Sequence, residues 1–307
     1  MERKLESLRC DSMILITGCA GYIGQHLAKE LLESGMQVRG FVLPGQEELM
    51  QELVEASLEL YTGDIRNKYD LEQAINGVDF VYSLTGLHST VERMREIYVE
   101  GTRNLLHLCS TYRVEKVILA SSGAVYGNCM DELITEEHLW NREHPFSQVN
   151  CEMEEIIQHY YLKENLNVIT LRIAEVYGDG KFNFFHKKIS EQTQVIGSPD
   201  TYNSRIFIGD LVQILKMALS QLEAGEAYNV TDNNAATLQD YYEELGMAIP
   251  KWIDVSSVPD RIKRSIHGLR SNSIRMSNKK LMTKLSYTFE LPTYKEGIAY
   301  CRQRIDV

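Results

Sequence analysis

Three glycines in the run Thr17-Gly18-Cys19-Ala20-Gly21-Tyr22-Ile23-Gly24 are spaced so that a backbone can hold a phosphate. Gly18 permits a tight turn after a strand, Gly21 lets the chain approach a pyrophosphate, and Gly24 lets the next helix pack close to the sheet. The amides of Tyr22 and Ile23 open that helix, whose positive end faces the anion. Gly18, Gly21, Tyr22, Ile23 and Gly24 are therefore the expected dinucleotide contacts. A purely structural turn is the alternative. Other reactive types are poorly placed for chemistry. Cysteines at 10, 19, 109, 129, 151 and 301 lack Cys-x-x-Cys or metal-ligand spacing, so no metal site is expected. Cys151 alone is singled out, with a buried structural thiol as the favoured reading.

The elements that must position this turn alternate in type. Met13 to Thr17 is an apolar run, and Tyr22 to Glu33 an amphipathic helix closed by Gly35. Strands are expected at 38–43, 58–61, 78–83, 117–120 and 168–173. Helices are expected from Asn67 to Ile75, from about Val91 to Tyr112, and from about Phe146 to Asn165. This rhythm predicts an α/β, Rossmann-type doubly wound parallel sheet. After about residue 175 it gives way to the aromatic and basic stretch Lys181 to Lys188, a return strand at 206–208 and a helix from Asp210 to Leu222. The expected organisation is a dinucleotide-binding domain over 1–175 and a smaller, mixed C-terminal substrate lobe over 176–307, with about 203–232 returning to the first.

A chain of 307 residues with 44% hydrophobic residues can bury a sizeable core. Its net charge of −11 opposes binding to nucleic acid or to an anionic membrane. No apolar run reaches the ~20 residues that cross a bilayer. Met1 to Glu6 lacks the apolar core of a signal peptide and is expected to fray ahead of the first strand. A cytoplasmic, reducing compartment follows from the cysteine usage.

Ser121-Ser122-Gly123-Ala124-Val125-Tyr126-Gly127 resembles the serine segment of the extended short-chain dehydrogenase/reductase family, NAD-dependent epimerase/dehydratase type. So do Glu100-Gly101-Thr102-Arg103-Asn104, Leu171-Arg172-Ile173-Ala174-Glu175-Val176-Tyr177-Gly178, Ile208-Gly209-Asp210, Ala227-Tyr228-Asn229-Val230, Ser277 to Leu281 and Tyr294 to Ile298. The resemblance spans nearly the whole chain. It implies an NAD or NADP cofactor, Asp64 and Ile65 near the adenine end, a small-molecule substrate such as a nucleotide sugar, and a homodimer. The stripe Leu105, Leu106, Cys109 is compatible with such a dimer, and equally with packing on the sheet. NAD and NADP are not distinguished: Val42 and Leu43 stand where the acidic or basic determinants would be, and Arg39 is either a phosphate contact or a solvated strand residue.

The departures fall on the chemistry. The resemblance implies a Tyr-x-x-x-Lys pair about 25 residues after the serine; Phe146 and Asn150 stand there. Ser122 can still orient a substrate oxygen, and Asn150 can still bond a ribose, but Phe146 has no proton to give. Tyr98 replaces an asparagine of the proton relay, and Glu175 replaces the asparagine before Val-Tyr-Gly. An arginine expected at 203 is Asn203, with Arg205 two residues away. Tyr98 and Glu175 are the leading substitute acids, followed by Tyr126 and His144, with His88 as a substrate contact. Each of these also has a packing or surface reading. Two functions follow: an atypical oxidoreductase, epimerase or dehydratase acting on a carbinol-containing metabolite, or a catalytically inactive nucleotide-binding regulatory or scaffold protein.

Overall fold

The structure, a computed structural model, describes residues 12–87, 89–129, 132–180, 194–247, 249–254, 257–258 and 273–304. The Lys181–Lys188 stretch, His88 and the first residues lie outside them. Fifteen strands are described: β1 Met13–Thr17, β2 Gln37–Val42, β3 Glu59–Thr62, β4 Phe80–Ser83, β5 Lys116–Ser122, β6 Leu133–Ile134, β7 Val168–Ile173, β8 Glu175–Tyr177, β9 Gln194–Ile196, β10 Tyr202–Asn203, β11 Arg205–Phe207, β12 Ala227–Val230, β13 Ala236–Thr237, β14 Lys251–Ile253 and β15 Arg275–Met276. The α-helices are α1 Tyr22–Glu33, α2 Gln51–Glu55, α3 Lys68–Ile75, α4 Val91–Arg95, α5 Thr102–Thr111, α6 Pro145–Glu164, α7 Ile208–Gln221, α8 Leu238–Glu244, α9 Lys279–Lys284 and α10 Tyr294–Gln303.

Seven strands form the central sheet in the order β12-β7-β5-β4-β1-β2-β3. The pairs β1–β2, β1–β4, β2–β3 and β4–β5 are parallel. The order in which strands are added reverses at β1, so the expected doubly wound sheet is present. Its switch point lies at the carboxyl ends of β1 and β4, where sheets of this kind bind their ligands. Ile14, Leu15 and Ile16 are fully buried in β1, while Leu27, Ala28 and Leu31 form the stripe by which α1 covers the sheet. Each large side chain so buried stabilises the fold by about 1.5–3 kcal/mol. α1 ends where Gly35 turns the chain, and Asn67 caps α3 by accepting the Tyr69 N–H.

The long helix expected from 91 to 112 is interrupted: a π-helical segment, Glu96–Gly101, separates α4 from α5. Leu105, Leu106 and Cys109 are fully buried within the chain, so that stripe is core and not a dimer surface. Spatial proximity divides the chain into two compact units that interleave along the sequence. One comprises the stretch ending at Ser121 together with Val149–Leu171 and Val212–Ala227; the other comprises Ser122–Gln148, Arg172–Leu211 and the chain from Tyr228 on.

Candidate active site

In the first unit the β1–α1 turn is shaped around its glycines. Gly18 has φ +69°, and a Cβ there would sit 2.8 Å from Leu84 O and from the Thr85 backbone. A Cβ on Gly24 would lie 2.4 Å from Gly18 O. The turn is closed by Gly21 N–H donating to Gly18 O at 2.9 Å, and α1 begins at an N-cap, Gly21, that brings no side chain to it. The loop after β4 lies alongside, with Leu84 N–H donating to Thr17 O at 3.1 Å. At the end of β1 the Thr17 hydroxyl is fully buried and has no partner among the described residues. A turn without Cβ atoms at Gly18, Gly21 and Gly24, a helix start and an orphaned hydroxyl fit a dinucleotide pyrophosphate.

Around this turn, several expected contacts are already engaged. The Asp64 carboxylate accepts from Arg66 Nε at 3.0 Å, from Nη2 at 2.7 Å and from the Arg66 N–H at 2.9 Å. The Arg66 side chain holds it below the usual carboxylate range. Ile65 is buried against Gly101, where a Cβ would come within 2.8 Å, and its carbonyl accepts from Asn104 Nδ2 at 3.3 Å. The Gly101-Thr102-Arg103-Asn104 motif is thus a docking point for the β3 loop. Arg39 corrects both readings of it. It is 7% exposed, pairs with Glu59 at 2.9 Å and donates to the carbonyls of Ala74 and Asn76, both at 2.7 Å. It is neither solvated nor available to a phosphate. Tyr98, on the π-helical segment, accepts the Leu87 N–H at 3.1 Å and donates to Leu87 O at 3.4 Å. Burial pushes its phenol up.

α6 carries Phe146 and Asn150 one turn apart, both buried. Within the first unit, Ser121 Oγ donates to the buried Glu154 carboxylate at 2.6 Å, one turn beyond Asn150, and Arg95 pairs with Glu152. Cys151 is fully buried, and burial pushes the Cys19 thiol up to about 12. No group of metal-binding residues occurs among the described residues.

In the second unit Ser122 ends β5, and its Oγ accepts the Ala124 N–H at 3.1 Å. The ring of Phe146 stacks on His144 at 5.2 Å, and the Phe146 N–H donates to His144 Nδ1 at 3.3 Å. An accepting Nδ1 leaves the imidazole proton on Nε2. Tyr126 is consumed by packing: its hydroxyl donates to Asn229 Oδ1 and accepts from Arg172 Nη1, both at 2.7 Å. Glu175 lies in register with Arg205 of the neighbouring strand, with Arg205 Nε 3.2 Å from its carboxylate. Arg205 is 1% exposed, donates to Asn203 O at 3.2 Å and stacks on Tyr241 at 3.7 Å. The sequence flagged each member of that pair as a departure but not that they meet; the signal lay in two adjacent strands changing charge together. Other family motifs are structural here. Asp210 accepts from Tyr287 and the Glu290 N–H, and Asn278 Nδ2 donates to Thr231 O.

Near this cluster, burial pushes Asp232 up to about 7, although the Arg205 charge pulls the other way. The folded pKa then lies above the unfolded one. The contribution is complete below about pH 4 and is lost as pH rises through about 7, where the buried carboxyl ionises. Asp232→Asn is expected to flatten the fall in Tm between pH 5 and 8 and to raise Tm at pH 8, as read by a thermal melt series.

A sequence model described as the NAD dependent epimerase/dehydratase family matches residues 14–231. The chain belongs to this family. Among curated relatives, a putative UDP-glucose 4-epimerase of Methanocaldococcus jannaschii is 29% identical over 227 residues, covering 68% of this chain and 73% of the relative. The Escherichia coli O157:H7 N-acetyl-alpha-D-glucosaminyl-diphospho-ditrans,octacis-undecaprenol 4-epimerase is 24% identical over 263 residues, covering 80% and 75%. Among solved structures, the Bacillus anthracis dTDP-glucose 4,6-dehydratase, in complex with NAD, superposes with a TM-score of 0.80 at 20% identity over 96% of each chain. A variant of Bacillus cereus UDP-glucuronic acid 4-epimerase carrying a Tyr→Phe change superposes with a TM-score of 0.77 at 23% identity over 95% of this chain and 99% of the other. It was solved with UDP-4-deoxy-4-fluoro-glucuronic acid and NAD. This member of the epimerase/dehydratase family has no helix, among the described residues, long and apolar enough to cross a membrane.

Proposed function

We propose that this epimerase/dehydratase-family protein binds NAD in preference to NADP and acts as an atypical oxidoreductase, epimerase or dehydratase on a carbinol-containing metabolite such as a nucleotide sugar. The observation that carries the reading is the glycine turn with the orphaned Thr17 hydroxyl beside it, which supports a nucleotide cradle. When bound, the nicotinamide would supply hydride exchange. Gly18, Gly21, Tyr22, Ile23 and Gly24 would hold the pyrophosphate, Asp64 would lie toward the adenine, and Asn150 would bond a ribose. Ser122 would orient the substrate oxygen, and the buried Phe146 ring would exclude water where a tyrosine would exchange a proton. Of the four substitute acids, Tyr98 and Tyr126 have hydroxyls engaged with the chain, Glu175 faces Arg205, and His144 stacks on Phe146.

The preference for NAD rests on charge. Arg39, within β2, and Arg66, in the loop after β3, are each held by carboxylates. The loop Leu43–Glu48 offers Glu47 and Glu48 and no cation. A 2′-phosphate would meet like charge there with no cation to offset it. Calorimetric titration with NAD, NADH, NADP and NADPH tests both statements. Tighter NAD binding supports them, equal binding removes the preference, and no binding up to millimolar concentration removes the redox reading.

Tyr98, Tyr126 and Glu175 being engaged also favours a second reading, a catalytically inactive nucleotide-binding regulator. It predicts NAD binding with no turnover on any carbinol. We further propose a cytoplasmic location, supported by buried cysteines outside any disulfide at Cys19, Cys109, Cys151 and Cys301, and a homodimer, supported by family expectation. A monomeric mass by light scattering would overturn the dimer.

A further inference from the structure

The loop after β4 is fixed at both ends. At its start Leu84 N–H donates to Thr17 O at 3.1 Å, and Leu84 and Thr85 crowd Gly18 so closely that a Cβ there would sit 2.8 Å from them. At its end Leu87 exchanges two hydrogen bonds with one group, the Tyr98 hydroxyl, at 3.1 and 3.4 Å. Between them Gly86 passes the same hydroxyl, where a Cβ would come within 3.3 Å. Tyr98 is presented by the π-helical segment Glu96–Gly101. An inserted π turn shifts the helix face by a residue and is costlier than α-helix, so it persists where a side chain must be aimed. Here the side chain so aimed reaches back to the loop that walls the glycine turn.

We propose that Tyr98 is a positioning residue, a clamp that holds the loop 84–87 against the glycine turn and thereby sets nucleotide affinity, and not a proton donor in the reaction. The inference rests on the cofactor reading above. Its chemistry is that of a phenol used as donor and acceptor at once: accepting from Leu87 N–H and donating to Leu87 O leave the hydroxyl proton committed to the backbone. Burial acts in the same sense, since it disfavours the phenolate that general-base work requires.

Tyr98→Phe removes both bonds while keeping the ring. The nucleotide dissociation constant by calorimetry is expected to rise about tenfold, the size of one to two lost hydrogen bonds. Tm should stay nearly unchanged, because the ring remains packed. Amide hydrogen exchange at Gly86 and Leu87 should accelerate, while that of Tyr82 and Ser83 in β4 does not. Gly86→Ala, which crowds the same hydroxyl from the loop side, should weaken nucleotide binding in the same direction. An unchanged dissociation constant in Tyr98→Phe overturns the proposal. So does a catalytic signature, in which kcat falls 10²-fold or more at unchanged affinity. If the unaltered protein binds no nucleotide, the cofactor reading falls and exchange alone judges the clamp: unchanged exchange at Leu87 sinks it, and faster exchange upholds the clamp without its role in affinity.

Discussion

Restoring tyrosine at 146 and lysine at 150 in one chain is expected to raise turnover by at least about 100-fold, the lower end of what a positioned general acid contributes. Both positions lie on α6, one turn apart and on the same face, so the ammonium of a new lysine would reach the new phenol and lower its pKa. Ser122 is already present at the position proposed to orient the substrate oxygen. The gain belongs to the pair. Phe146→Tyr alone adds a phenol with nothing to depress its pKa, and Asn150→Lys alone buries a cation without a task, so each single change should give little. Nicotinamide absorbance with a panel of sugar nucleotides and simpler carbinols reads the result. A double variant that binds nucleotide as before yet gains no activity would sink the idea of an ordinary active site that has lost two groups, and would point to a pocket remodelled around Phe146 and His144.

Gly24→Ala should do the most damage of any single methyl in the first unit. The added Cβ would meet Gly18 O at 2.4 Å and Cys19 atoms at 2.8 Å. These are backbone atoms of the turn itself and cannot swing aside as a side-chain tip can. Either α1 lifts off the sheet, opening gaps around Leu27 and Leu31, or the turn flattens and loses its cradle. The expected cost is about 3 kcal/mol, with a Tm lower by about 6 °C or more. Nucleotide affinity should fall by more than about 100-fold, since the amides at the start of α1 no longer converge. Gly35→Ala serves as the contrast, because its Cβ would meet nothing within 4 Å and only its φ of +77° resists. If Gly24→Ala binds nucleotide normally, the turn is not the nucleotide site.

The sheet was legible because period and punctuation agreed. Strands β1 and β7 and helix α1 fall where apolar runs and glycines put them, and α3 begins at the Asn67 that the sequence offers as a cap. Parallel strands buried on both faces leave an unmistakable apolar signal. What escaped notice was short or nonlocal. The break in the helix at Glu96–Gly101 has no proline or helix-internal glycine pair to announce it. The two-residue strands β10, β13 and β15 are too brief for any periodicity, and α8, with 7 residues, has a stripe of only Leu238, Tyr241 and Tyr242. At the site, the glycines carried their meaning in spacing alone. The roles of Arg39, Tyr98, Tyr126 and Glu175 depended on partners 11 to 103 positions away, such as Leu87 for Tyr98 and Asn229 for Tyr126, and no local pattern encodes those.

The registered pair of Glu175 and Arg205 makes the order of genetic change matter. Arg205 is 1% exposed while the Glu175 side chain keeps 24% of its surface in contact with water. Deleting the carboxylate first strands a guanidinium in the interior, a loss of about 3–5 kcal/mol that takes a large share of a domain's stability. Deleting the arginine first leaves an acid that water can still reach, a milder intermediate. Any stepwise route from this chain toward one with asparagine at 175, whether taken by evolution or in a laboratory selection, is therefore steered through position 205. The second unit has a built-in direction of travel, and libraries that vary residue 175 alone should be enriched in acidic residues there.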